Sequence, residues 1–84
     1  MSISIKESVL AYFADKKTLT GSKEEQLRVR YLNEGIIDSM GIIDLITHFE
    51  DQYRIRFEAD DLQSEEFQTI GGLVRIVERL SDEK

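Results

Sequence analysis

The clearest chemical potential in this chain lies in Gly35-Ile36-Ile37-Asp38-Ser39-Met40, ahead of an amphipathic run that ends at Tyr53. The pattern predicts a loop that delivers a serine to the first position of a helix. Amides at a helix start lack intrahelical acceptors and carry the positive end of the dipole. Phosphate oxygens are favoured there, so an exposed Ser39 suits loading with a phosphate-linked group. Asp38 is a residue type that caps the first backbone N–H groups. Ser39 is poorly equipped as a nucleophile in its own right, because no pattern supplies a general base or an oxyanion hole. His48, the one histidine, belongs to no triad-like spacing and is expected at a surface or boundary. An ordinary helix-start serine would give the same local pattern, so the residues alone leave both readings open.

Other constellations exclude more than they offer. The chain has no cysteine, which removes disulfides, thiolate metal sites and any thiol chemistry of its own. Asp60-Asp61 lacks the alternating ligands and central glycine of a calcium loop, and no metal is assigned. Gly71-Gly72 lacks the spacing and preceding strand of a phosphate-binding loop; it is expected to relax packing at a helix start.

At 84 residues the chain is read as one domain, residues 1–84, too small to enclose a large substrate in a deep pocket. Its net charge of −6 disfavours nucleic acid and anionic membrane surfaces and favours basic protein partners. No apolar run reaches the length of a membrane span. The segment Met1–Lys6 lacks the basic start and long apolar core of a signal peptide. A cytoplasmic monomer is therefore expected.

The elements that must position Ser39 follow from periodicity. Ile5, Val9, Tyr12 and Phe13 share a helical face in a first helix from about Ile3 to Lys17, with Lys16 and Lys17 complementing its dipole. Residues 18–35 read as a long ordered loop in which Lys23–Gln26 can form a helical turn. Leu27, Val29, Tyr31 and Leu32 are expected to lie over a core. The second helix is predicted over Ser39–Tyr53. Ile42, Leu45, Ile46, Phe49 and Tyr53 make its buried side, and Met40, Ile43 and Thr47 make a second stripe. That second stripe exceeds what one small core requires and is available to a partner. Ile55 and Phe57 should tuck inward from a short connection. Asp60–Phe67 suggests a brief third helix with acids in its first turn. Thr69 should cap a last helix that buries Leu73, Val74, Ile76, Val77 and Leu80, followed by a frayed tail, Ser81–Lys84. The fold class is all-α, a small four-helix bundle with three main helices, one short third helix and a long first loop.

The run Leu32-Asn33-Glu34-Gly35-Ile36-Ile37-Asp38-Ser39-Met40 and the helix after it resemble the attachment motif of acyl and peptidyl carrier proteins. The family pattern is an Asp-Ser pair followed by an apolar residue, commonly Leu, where this chain has Met40. The resemblance extends over almost the whole chain, including Phe67-Gln68-Thr69-Ile70 leading into the last helix. It implies an acyl-carrier-protein-like bundle in which Ser39 bears 4′-phosphopantetheine, transferred from coenzyme A by a phosphopantetheinyl transferase. The arm supplies the thiol that the chain lacks. Acyl or aminoacyl groups would ride on it as thioesters, loaded by a ligase and passed to downstream synthase or transferase enzymes. Fatty acyl, polyketide, amino acid and aryl cargo all fit, and the carrier itself catalyses nothing.

Within that resemblance, Met40 and Ile43 are expected to touch partner enzymes, with Thr47 beside them. Asp38, Asp44, Glu50 and Asp51 supply charge near the same helix for basic docking patches. Glu58, Asp60, Asp61, Glu65 and Glu66 are expected to extend the acidic area. Gly41 stands where many fatty-acid carriers have an acid, and Arg54 and Arg56 follow a helix end that is acidic in many of them. These departures fit a specialised carrier, and Glu-Gly-Ile-Ile-Asp-Ser resembles stand-alone carriers that handle amino acids. The alternative is an unmodified helical adaptor that binds partners through the second helix.

Overall fold

The computed structural model describes residues 4–82; Ile3, Glu83 and Lys84, which the sequence reading placed at the helix start and in the tail, lie outside that range. Helix α1 spans Ile5–Lys16 and begins where Ser4 Oγ accepts the Glu7 N–H at 3.1 Å. Helix α2 spans Lys23–Leu27 and has a reciprocal cap between Ser22 and Glu25. The first loop is thus interrupted by a formed helix, because a capping box satisfies amide donors that a five-residue helix would otherwise leave open. Helix α3 spans Ser39–Tyr53 and ends at Arg54 in the left-handed region.

The expected short third helix is two pieces, α4 at Ala59–Gln63 and a 3₁₀ turn at Glu65–Gln68. Ser64 separates them. It is extended, and its hydroxyl donates to Asp61 O at 2.8 Å, so a side chain takes up a terminal carbonyl of α4. Helix α5 spans Ile70–Asp82. Gly72 N–H donates to Thr69 Oγ1 at 3.0 Å, which is the expected cap. The helix also continues through Ser81 and Asp82, where fraying was expected. No strand occurs among the described residues, and no helix among them is long and apolar enough to cross a membrane.

The all-α bundle is built around α5. Its Ile70, Leu73, Ile76 and Val77 are fully buried against Val9 and Phe13 of α1, Leu45 and Phe49 of α3, and Tyr31 of the first loop. Burying each such aliphatic side chain contributes about 1.5–3 kcal/mol. Ile55 and Phe57 are buried as expected, whereas Leu32 is exposed and does not cover the core. The glycine pair does the opposite of loosening its helix start. A Cβ on Gly72 would lie 1.9 Å from Glu66 O, and one on Gly71 would lie 2.9 Å from Leu27 O. The bare backbone of α5 thereby seats directly on the 3₁₀ turn and on the end of α2.

Candidate functional site

The loop before α3 is fixed by Tyr31. Its side chain is fully buried, and its carbonyl accepts the N–H groups of Ile36 at 3.0 Å and Ile37 at 3.4 Å. Ile37 is buried in turn. With the chain pinned on both sides of Gly35, Asp38 arrives at the N-cap of α3 in an extended conformation. Gly41 N–H donates to Asp38 Oδ1 at 2.8 Å, and Ile42 N–H donates to Asp38 O at 3.0 Å. The predicted cap is formed.

Ser39 is the first residue of α3 and is exposed. Of the amides at this helix start, those of Ser39 and Met40 have no protein acceptor among the described residues. Two donors and the positive helix end therefore surround an accessible hydroxyl, and this donor set matches the oxygens of a phosphodiester. The position fits a phosphate-linked group on chemistry alone.

Gly41 has a reason that its sequence position did not reveal. A Cβ there would lie 2.9 Å from Ile37 Cγ2 and 3.3 Å from Asp38 Oδ1. The glycine lets the buried Ile37 fold against the first turn, which helps to hold Asp38 and Ser39 in place.

The second apolar stripe faces outward. Met40 is 76% exposed, Ile43 64%, and Thr47 and Asp44 are exposed beside them. Asp44 borders the α1 side: its carboxylate adds to the effect of burial in raising the pKa of the Tyr12 phenol, with burial the larger cause. Glu50 is half-buried, and its Oε2 accepts the Phe57 N–H at 2.9 Å. Its carboxylate ties the connection after α3 to the helix. His48 is exposed at the α1–α3 boundary, with its ring 4.8 Å from Tyr12 and 4.9 Å from Phe49.

One residue of the expected acidic area belongs elsewhere. Asp61 is buried, and Arg79 Nη2 donates to its Oδ1 while Glu58 N–H donates to its Oδ2. A carboxylate so engaged holds the fold and offers no surface charge. Sequence reasoning also missed the weight carried by Tyr31, which stood only as one of an apolar series. The ring neighbours of Tyr31, Phe13 and Phe67, and the Arg79 partner of Asp61 lie far off in the chain, so no local spacing could announce them.

None of the known protein-family models matches the chain. Among curated proteins it is similar to D-alanyl carrier protein 1 of Lactiplantibacillus plantarum, with 34% identity over 76 residues, which span 89% of this chain and 91% of that protein.

Proposed function

Since the chain belongs to the family of phosphopantetheine carrier proteins, we propose that Ser39 is the attachment point of its 4′-phosphopantetheine arm and that the cargo is a small aminoacyl group. The observation that carries this reading is the exposed Ser39 hydroxyl at the open amide end of α3 in a chain of this family. The arm supplies a terminal thiol, which this cysteine-free chain does not have, and the cargo is held on it as a thioester. The aminoacyl choice is supported by the name of the relative, a D-alanyl carrier protein, and by the departures at Gly41, Arg54 and Arg56.

The chain's own residues position and present. Asp38 fixes the first turn, so Ser39 Oγ projects beside unpaired amides. During priming the new ester bond would form between Ser39 Oγ and the pantetheine-side phosphorus as the phosphoanhydride of coenzyme A breaks and adenosine 3′,5′-bisphosphate leaves. The hydroxyl proton passes to a base of the phosphopantetheinyl transferase, since Ser39 Oγ makes no hydrogen bond among the described residues. Met40, Ile43 and Thr47 are the contacts for the transferase, the loading ligase and the enzyme that receives the cargo. Met40 suits several partners because its side chain adapts its shape. Asp44 and the half-buried Glu50 face basic patches on those enzymes. Tethering makes delivery to a docked enzyme effectively intramolecular. Residues 1–84 act as one carrier domain in the cytoplasm, a monomer with no catalytic activity of its own.

Incubation with coenzyme A, magnesium and a broad-specificity phosphopantetheinyl transferase should add one phosphopantetheinyl mass. Absence of that gain, or an equal gain in Ser39→Ala, removes the assignment. The primed protein, given ATP and a D-alanine-activating ligase, should then acquire a hydroxylamine-labile D-alanyl group. Acceptance of fatty acyl groups alone would overturn the aminoacyl choice while leaving the carrier assignment intact.

A further inference from the structure

The far end of α3 carries two arginines that the fold holds in place and leaves unpaired. Arg54 caps the helix at φ 55° and ψ 47°. Among the described residues it is the one non-glycine position with a positive φ. A Cβ is disfavoured in that conformation, and glycine is the usual occupant of such a helix end. Arg54 is nevertheless exposed, and its side chain makes no hydrogen bond or ion pair among the described residues. A strained conformation kept without benefit to the fold points to a use outside it. Arg56 is displayed by the same stretch of chain. It stands between Ile55 and Phe57, which are both buried, and is itself exposed and unpaired. Glu50 fastens the backbone that bears both. Its carbonyl accepts the N–H groups of Arg54 and, at 3.1 Å, of Ile55, and its Oε2 accepts that of Phe57 at 2.9 Å.

The two arginines stand in line with Ser39. Met40, Ile43, Thr47, Asp51 and Arg54 are all exposed and recur at spacings of three and four, so Arg54 lies at the foot of the outward stripe. At about 1.5 Å of rise per residue, the length of α3 puts it about 20 Å from Ser39. The stripe thus changes sign along its length, with Asp38 and Asp44 exposed at the Ser39 end and Arg54 and Arg56 at the other. We propose that Arg54 and Arg56 form a second, cationic pole of the docking surface, and that the enzyme loading the arm carries carboxylates about 20 Å from the mouth that the arm enters. This rests on reading Ser39 as the attachment point. The net charge of −6 draws the chain to basic partners in general. A partner face that is basic throughout would set like charges against both arginines, whereas one that turns acidic at that distance pairs along the whole of α3. A guanidinium suits this role because it offers paired N–H donors to a carboxylate. The two poles together fix which way round the helix lies and hence where the arm points.

Docking is tested on a chain that cannot be primed. The full chain with Ser39→Ala, isotope-labelled, is titrated with a D-alanine-activating ligase and followed by NMR. The backbone amides of Arg54, Ile55 and Arg56 should shift together with those of Met40 and Ile43. Arg54→Gln and Arg56→Gln, made in that background, should each raise Kd about threefold, and both together about tenfold. The sign is decisive, because on long-range attraction alone the loss of two cations from an acidic chain would tighten binding to a basic ligase. Arg54→Lys keeps the charge and should bind more tightly than Arg54→Gln. Arg54→Gly relieves the helix end and should raise the midpoint of urea unfolding while raising Kd about threefold, so that stability and affinity move in opposite directions. An unchanged or lower Kd in the glutamine variants overturns the proposal, as does the absence of shifts at residues 54–56. A lower urea midpoint in Arg54→Gly also overturns it, since the side chain would then serve the fold. Failure of the separate priming reaction would remove the Ser39 assignment and leave these affinities as they are.

Discussion

Tyr31→Phe should make this protein more stable. The Tyr31 side chain is fully buried, between Phe13 at 4.8 Å and Phe67 at 6.2 Å between ring centroids. Its hydroxyl has no hydrogen-bond partner among the described residues. A buried polar group left unpaired costs about 1–3 kcal/mol. Removing the oxygen relieves that cost and leaves a ring of the same outline among the same neighbours, at the loss of one small set of dispersion contacts. The net gain expected is about 1 kcal/mol, which for a domain of this size raises Tm by about 4–8 °C. Urea unfolding followed by circular dichroism should show a higher midpoint at an unchanged m-value. The same substitution has a pH signature. Burial raises the Tyr31 phenol pKa above its ordinary range, so the folded state retains a proton that the unfolded chain loses near pH about 10. Stability from this group is complete below that pH and falls as pH rises above it. Tyr31→Phe should flatten the alkaline loss of stability, leaving the smaller contribution of Tyr12. A variant that is less stable than the parent, or equally sensitive to alkali, would refute the reasoning and mean that the hydroxyl has a partner in solution.

Other consequences are as direct. Asp38→Ala removes the acceptor of the Gly41 N–H; it should cost about 1 kcal/mol in urea unfolding and slow Ser39 priming in a mass-spectrometric time course, with Asp38→Asn close to native. Gly72→Ala places a Cβ against Glu66 O; α5 must shift off the 3₁₀ turn, and denaturation should show a loss of about 3 kcal/mol or more. Met40→Ser and Ile43→Ser alter exposed side chains and should leave stability within about 0.5 kcal/mol. In steady-state assays the same changes should raise the KM of the loading ligase for the carrier, and unchanged kinetics would remove the stripe from the docking surface.

The geometry of the candidate site was largely legible from residue order because its determinants are local. The cap of α3 joins Asp38 to Gly41, three residues apart, and the burial of Leu45 and Phe49 repeats at helical spacing. Those two signals place Ser39 at the first position of a helix running to Tyr53, with Met40 and Ile43 outward. The carrier family was legible for the same reason, since its motif is contiguous. Residue order also held the ingredients of α2, in Ser22 and Glu25, although the weak apolar pattern around them pointed to a loop.

Tertiary structure decided what depends on the chain returning to itself. Gly72 reads as a residue that relaxes a helix start until the Glu66 carbonyl is seen where a Cβ would stand. Asp61 reads as one more solvated acid until α5 brings Arg79 to it across 18 positions. Tyr31 reads as one apolar residue among four until Phe13 and Phe67 are found packed against its buried ring. Caps and periodicities act between near neighbours, so composition and spacing alone determine them. Close approach, ion pairing and burial of a hydroxyl depend on which segments meet, and only the packed bundle settles that.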